Sequence, residues 1–173
     1  TYLVERYWCN ASYDPNLMLN RYHNPKRVLT IAYSFPSGNL KLYMPTEEEF
    51  KFFTNTDSSI DIWGSSLNDS SVGIITKSGK DYLFLKSLGI EACAFQSEYV
   101  IPSKDFIDKV NSKWLRPIIL FDNDTTGIQR AKILAEYTGW TNITWPLEQK
   151  DPTDSYLVNK QLTLDTIKRI IEY

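Results

Sequence analysis

The rhythm of apolar and polar positions changes partway along this chain. Val28 to Phe35 (VLTIAYSF) and Asn39 to Tyr43 (NLKLY) alternate around Pro36-Ser37-Gly38, which predicts a β-hairpin. Phe50-Lys51-Phe52-Phe53 fits either a helical turn or an edge strand, and Asp14-Pro15-Asn16 reads as the start of one short helix. A stretch of small and polar residues from Gly64 to Ser71 then marks a boundary, dividing the chain into 1–70 and 71–173. Beyond it strands and helices alternate. Strands are expected at Val72–Thr76, Glu91–Phe95, Ile118–Phe121 and Asn142–Thr144, and helices at Gly79–Leu88, Ser103–Asn111, Ile128–Tyr137, from Asp151 and from Thr163. Such a series implies an α/β fold, a mostly parallel sheet with helices on its faces, preceded by a small α+β subdomain with the hairpin.

The most informative stretch is Ile118-Ile119-Leu120-Phe121-Asp122-Asn123-Asp124-Thr125-Thr126-Gly127, an apolar run that empties into two carboxylates. Four apolar residues behind Pro117 fit a strand covered on both faces. The helix after it groups Ile128, Ala131, Ile133, Leu134 and Ala135 on one side. The carboxylates therefore fall at the C-terminal edge of a parallel sheet, where such folds place their sites. If strand alternation continues, Asp122 and Asp124 point the same way and converge on one hard cation such as Mg2+. The plainer alternative makes them helix caps. Lys150-Asp151-Pro152-Thr153-Asp154 brings further carboxylates to the same edge, and Asp-Pro-x-Asp is itself an ordinary helix start.

Composition narrows the chemistry. Two cysteines, Cys9 and Cys93, and a single histidine, His23, supply neither a zinc site nor a disulfide framework, and no zinc is expected. With 19 Lys+Arg against 21 Asp+Glu there is no global field to attract nucleic acid, so any such binding is local. No signal peptide and no run of 18 apolar residues is present; a soluble cytoplasmic setting without membrane attachment is expected. The chain opens on Thr1 without an initiator Met, which suggests a piece of a longer protein.

Taken together, Thr76-Lys77-Ser78-Gly79-Lys80-Asp81, Asp122 to Gly127 and Lys150 to Asp154 resemble, in order and spacing, the Toprim domain of bacterial-type and phage DNA primases. The match runs from about Val72 to Lys160, and the hairpin before it looks like the end of the smaller subdomain that precedes Toprim in those enzymes. The resemblance implies metal-dependent nucleotidyl transfer, making short RNA primers on a single-stranded DNA template from nucleoside triphosphates. A replicative helicase is an implied partner, and the host cytoplasm the setting if the chain is phage-encoded. It further implies Mg2+ or Mn2+ as cofactor, in a two-metal site, with Asp122, Asp124, Asp151 and Asp154 as ligands. Lys77, Lys80, Lys150 and Arg130 become the nucleotide or nucleic-acid contacts, and Asp81 either orients a lysine or simply begins a helix.

One position departs from the family pattern. The first loop usually carries a Glu where this chain has Lys77. Either Glu98, on the loop after the next strand, replaces that carboxylate, or Lys77 binds phosphate directly; Glu98 also reads as a plain surface acid. A Thr-Lys-Ser opening resembles phage primase-like proteins.

Three other readings compete. Asp122-Asn123-Asp124-Thr125-Thr126 contains the Asp-x-Asp-x-Thr signature of haloacid-dehalogenase-type phosphatases, but only 49 residues follow Asp124, too few for the downstream segments those enzymes need. A Toprim nuclease shares the acidic cluster but lacks the preceding subdomain. A non-catalytic Toprim binding module is favoured by Lys77 and disfavoured by so many carboxylates.

Overall fold

A computed structural model describes residues 31–35, 37–44, 51–57 and 61–172. The helix expected at Asp14 and the basic loop at Tyr22–Arg27 lie outside the described residues. The chain divides into two compact units, Thr1–Asp61 and Ile62–Tyr173.

In the first unit, β1 (Ile31–Ser34), β2 (Leu40–Tyr43) and β3 (Phe52–Thr54) form an antiparallel sheet in the order β1-β2-β3. The expected hairpin is present, with Ile31 opposite Tyr43 and Ser34 opposite Leu40. Its turn is closed by hydrogen bonds between Phe35 and both Gly38 and Asn39, and Gly38 takes a left-handed φ of 87° that a side chain would strain. The ambiguous Phe52 segment is an edge strand, stacking its ring on Tyr43 across the sheet. The buried Asp61 carboxylate accepts hydrogen bonds from Ser37 Oγ (2.5 Å), Asn39 Nδ2 (2.8 Å) and the Asp57 N–H (2.8 Å), tying the turn to the end of the unit.

The second unit is a four-stranded, wholly parallel sheet, with β4 (Ser70–Thr76), β5 (Ala92–Ala94), β6 (Trp114–Ile119) and β7 (Thr141–Asn142) in the order β5-β4-β6-β7. Connecting and following them are α1 (Gly79–Ser87), α2 (Lys104–Lys113), α3 (Thr125–Thr138), α4 (Pro152–Val158) and α5 (Lys160–Glu172). Alternation along the strands divides the core in two. Ile75, Cys93, Ile119 and Phe121 face α2 and α3 through Val110 and Leu134, whereas Ile74, Ala92, Ile118 and Leu120 face α1 and α5 through Leu85 and Ile167. Both faces of the central strands are thus covered, which is why Ile118 to Phe121 reads as an unbroken apolar run. Close packing also fixes Gly73, where a Cβ would fall 1.9 Å from the Trp114 ring. Ile62 and Leu67, upstream of the small-polar stretch's end, belong to this unit's core.

Two details differ from the sequence-based expectation. Strand β6 begins at Trp114 and runs through Pro117. The Leu120 N–H bonds to Ile75 of β4, so by alternation the nitrogen of Pro117 faces the β7 flank, where pairing starts only at Ile118; no ladder bond is lost. On α3, the buried stripe is Gly127, Ala131 and Leu134, spaced at three to four residues, while Ile128 and Ile133 are exposed because 100° per residue rotates them off that face. Among the described residues no helix is long and apolar enough to cross a membrane.

Candidate active site

The strand order reverses direction at β4. From β4 the chain goes to β5 on one side, then crosses back to β6 on the other, and in such a sheet the crevice outside the carboxyl ends of the adjacent β4 and β6 is the natural binding site. Lys77 lies in the loop after β4, Glu98 after β5, Asp122 after β6 and Asp151 after β7.

Three buried carboxylates meet there. Asp81, Asp122 and Asp151 each offer an oxygen within 4.8 Å of the others. Each is fixed by local structure. Ser78 caps α1, its hydroxyl accepting the Asp81 N–H and donating back to Asp81 Oδ2 at 2.5 Å. Asp151 caps α4, accepting the Asp154 N–H at 2.8 Å, with Pro152 at the first helical position. Thr153 donates both its N–H and its hydroxyl to Asp81 Oδ1, which joins the first turn of α4 to α1.

Asp122 is placed from behind. Asn123, the residue between the two acids, donates its side-chain amide to the carbonyls of Leu147 (2.7 Å) and Gln149 (3.2 Å), and its N–H to Lys150 (2.8 Å). The β6 loop is thereby laced to the segment that carries Asp151. Asp124 stands outside the three-carboxylate group: it is exposed and caps α3 by accepting the Gly127 N–H at 2.8 Å. Strand geometry ends at Ile119, so the alternation that would align Asp122 with Asp124 does not reach them.

Lysines balance part of this charge. Lys77 Nζ sits 3.2 Å from Asp122 Oδ2 and 3.3 Å from Glu98 Oε2. Lys80 Nζ bridges Asp151 (2.7 Å) and Asp154 (2.6 Å), and the more exposed Lys150 lies 3.7 Å from Asp122. Arg130, on α3, stacks its guanidinium on the exposed Tyr99 ring, 4.0 Å from the centroid.

The electrostatics reflect crowding. Burial, then the neighbouring Asp151, push the Asp81 carboxyl up to about 6. Asp122 is also raised, by burial, with Lys77 pulling against the shift. Burial works against the ammonium groups of Lys77 and Lys80, yet their carboxylate partners carry both above the ordinary lysine value. Among the described residues five carboxylates and three ammonium groups leave the cluster negative. An all-oxygen donor set with anions repelling one another at its centre suits a hard divalent cation, whose charge would relieve the strain on Asp81. The buried triad can hold a metal. Asp81, Thr153 and Asn123 carry more of this site than the motif pattern suggests, since two of them occupy its variable positions.

Over 84% of its length the chain superposes on a primase from Aquifex aeolicus with zinc-binding and RNA polymerase domains (TM-score 0.57, 19% identity, 40% of that chain). It likewise matches the DnaG primase catalytic domain bound to single-stranded DNA over 82% of its length (TM-score 0.60, 14% identity, 52% of that chain). The fold is that of a Toprim-type primase core. A primase fragment of the bacteriophage T7 primase-helicase protein is similar as well (TM-score 0.58, 16% identity, 78% of this chain and 60% of that one). The chain thus spans about half the length of the bacterial cores it resembles. No family model and no curated protein matches the sequence.

Proposed function

We propose that this chain is the catalytic core of a DNA primase, joining ribonucleotides on a single-stranded DNA template during replication. The observation that carries this is the meeting of Asp81, Asp122 and Asp151 at the strand-order reversal of a Toprim-type sheet. In the reaction a 3′-hydroxyl attacks the α-phosphorus of an incoming nucleoside triphosphate; the new P–O bond forms as the α–β bridge breaks and pyrophosphate leaves. Bound at the triad, Mg2+ or Mn2+ would supply the positive charge that phosphoryl transfer requires. Lys77, Lys80 and Lys150 ring the cluster with cationic donors suited to triphosphate or template phosphates, and Arg130 adds one beside Tyr99. Asp124 serves through α3, which it caps, and Asp154 by holding Lys80.

Single-stranded DNA as template is supported by the DnaG structure that contains it, and a replicative helicase as partner by the T7 chain's origin in a primase-helicase protein. The cytoplasm, of the host if the gene is a phage's, follows from that role.

One observation favours a second reading. The Lys77–Asp122 ion pair is compatible with a Toprim module that binds nucleic acid without catalysis. Incubation with single-stranded DNA, labelled ribonucleoside triphosphates and Mg2+ separates the two. Short labelled oligomers, absent with Asp122→Asn, are expected; DNA binding without synthesis favours the module, and cleavage of the DNA favours a Toprim nuclease.

A further inference from the structure

Lys77 and Lys80 are each seated between two carboxylates, and each seat shares one member with the triad. Lys77 holds Glu98 and Asp122; Lys80 holds Asp151 and Asp154. The Lys77 seat is the tighter enclosure, its side chain and that of Glu98 only 16% and 18% exposed. An ammonium there is no solvated rim charge. It screens Asp122 from Glu98, which is what a metal ion between those two carboxylates would do.

The charge count agrees. Among the described residues Asp81, Asp122, Asp151, Asp154 and Glu98 face Lys77, Lys80 and Lys150, so two negative charges remain, the charge of one divalent ion. Among the described residues no ammonium lies within ion-pair distance of Asp81, whose hydrogen-bond partners are Ser78 and Thr153 and on which Lys80 acts only from further off. The uncompensated charge is therefore centred on Asp81, inside the triad.

Resting on the reading of the triad as a metal site, we propose that Lys77 is a resident cation in the position of a second ion. The centre then takes one divalent ion, at Asp81, Asp122 and Asp151, in place of the two that the family resemblance implies. Glu98 is a positioning residue for Lys77 and no metal ligand.

Counting bound Mn2+ tests this directly. Mn2+ is titrated into the metal-free chain and the free ion measured by electron paramagnetic resonance, with the Asp122→Asn chain as background because Asp122 belongs both to the triad and to the Lys77 seat. One site-specific ion per chain is expected. In Lys77→Glu, checked by thermal melting for an intact fold, a second ion is expected, because two carboxylates then flank Asp122 where one carboxylate and the Lys77 ammonium stood, leaving only the more distant Lys150. Two ions in the wild-type chain would overturn the proposal while leaving the metal-site reading intact; none would overturn both. A folded Lys77→Glu chain that still binds one ion would also overturn it, and the wild-type count decides the matter if that variant does not fold.

Discussion

Gly127 packs so closely on Asp122 that a Cβ added to it would fall 2.2 Å from the Asp122 carbonyl oxygen. The first turn of α3 therefore rests on the backbone of the residue that delivers a carboxylate to the triad. Helix and acidic loop are one construction, and the glycine is there for close approach, since its φ is not in the left-handed region.

Gly127→Ala is accordingly expected to destabilise the chain by about 1–3 kcal/mol, because backbone must shift to admit the methyl group. Denaturant unfolding measures this, and a parallel loss of Mn2+ affinity is expected as Asp122 moves. An unchanged unfolding midpoint would contradict the contact.

Asn123 aims its amide at backbone carbonyls, so the two substitutions there should differ in a telling order. Asn123→Ala removes the donor and is expected to cost about 1–3 kcal/mol. Asn123→Asp puts an acceptor against the same oxygens and is expected to cost more, despite being nearly isosteric. The reverse order in urea unfolding would rule out this role.

For Asp124 the expectation separates cap from ligand. Asp124→Ala should lose about 1 kcal/mol of stability through the freed Gly127 N–H, whereas Asp124→Asn should retain most of it. Mn2+ affinity should be nearly intact in Asp124→Asn. A collapse of binding there would place Asp124 among the ligands.

Asp81 gives a pH dependence of unusual sign. Its carboxyl is pushed up to about 6 by burial, then by Asp151, against an ordinary 3.8, so the folded chain binds the proton more tightly than the unfolded one. This group's contribution to stability rises as pH falls through 6 and is complete near 4; above 6 its ionisation costs about 2–3 kcal/mol. In chelator, wild type should therefore gain by about that amount relative to Asp81→Asn between pH 8 and pH 4. A difference that stays flat, or favours the variant at low pH, would contradict the assignment.

Much of this was legible in the sequence, for reasons that particular residues show. Ile118 to Phe121 announced a strand covered on both faces because neither face meets water, and the helix expected at Gly79–Leu88 forms at Gly79–Ser87 because what starts it, the Ser78 cap, is local. Less local features were not. The strand passes through Pro117 because of where β7 begins, which depends on a partner strand more than twenty residues on. The pairing of Asp122 with Asp81 and Asp151, and not with Asp124, depends on where β6 ends and on contacts between loops seventy residues apart. Asn123 and Thr153 stood at variable positions of the motif, and only tertiary contact shows their amide and hydroxyl holding the site together.

Whether Asp81, Asp122 and Asp151 hold a divalent ion is read straight from anomalous scattering of Mn2+ in crystals of the chain. A single peak coordinated by those three carboxylates is expected, and it should vanish in Asp122→Asn. No peak at the triad, or density only at the exposed Asp124 or the half-buried Asp154, would contradict the site and the primase chemistry built on it.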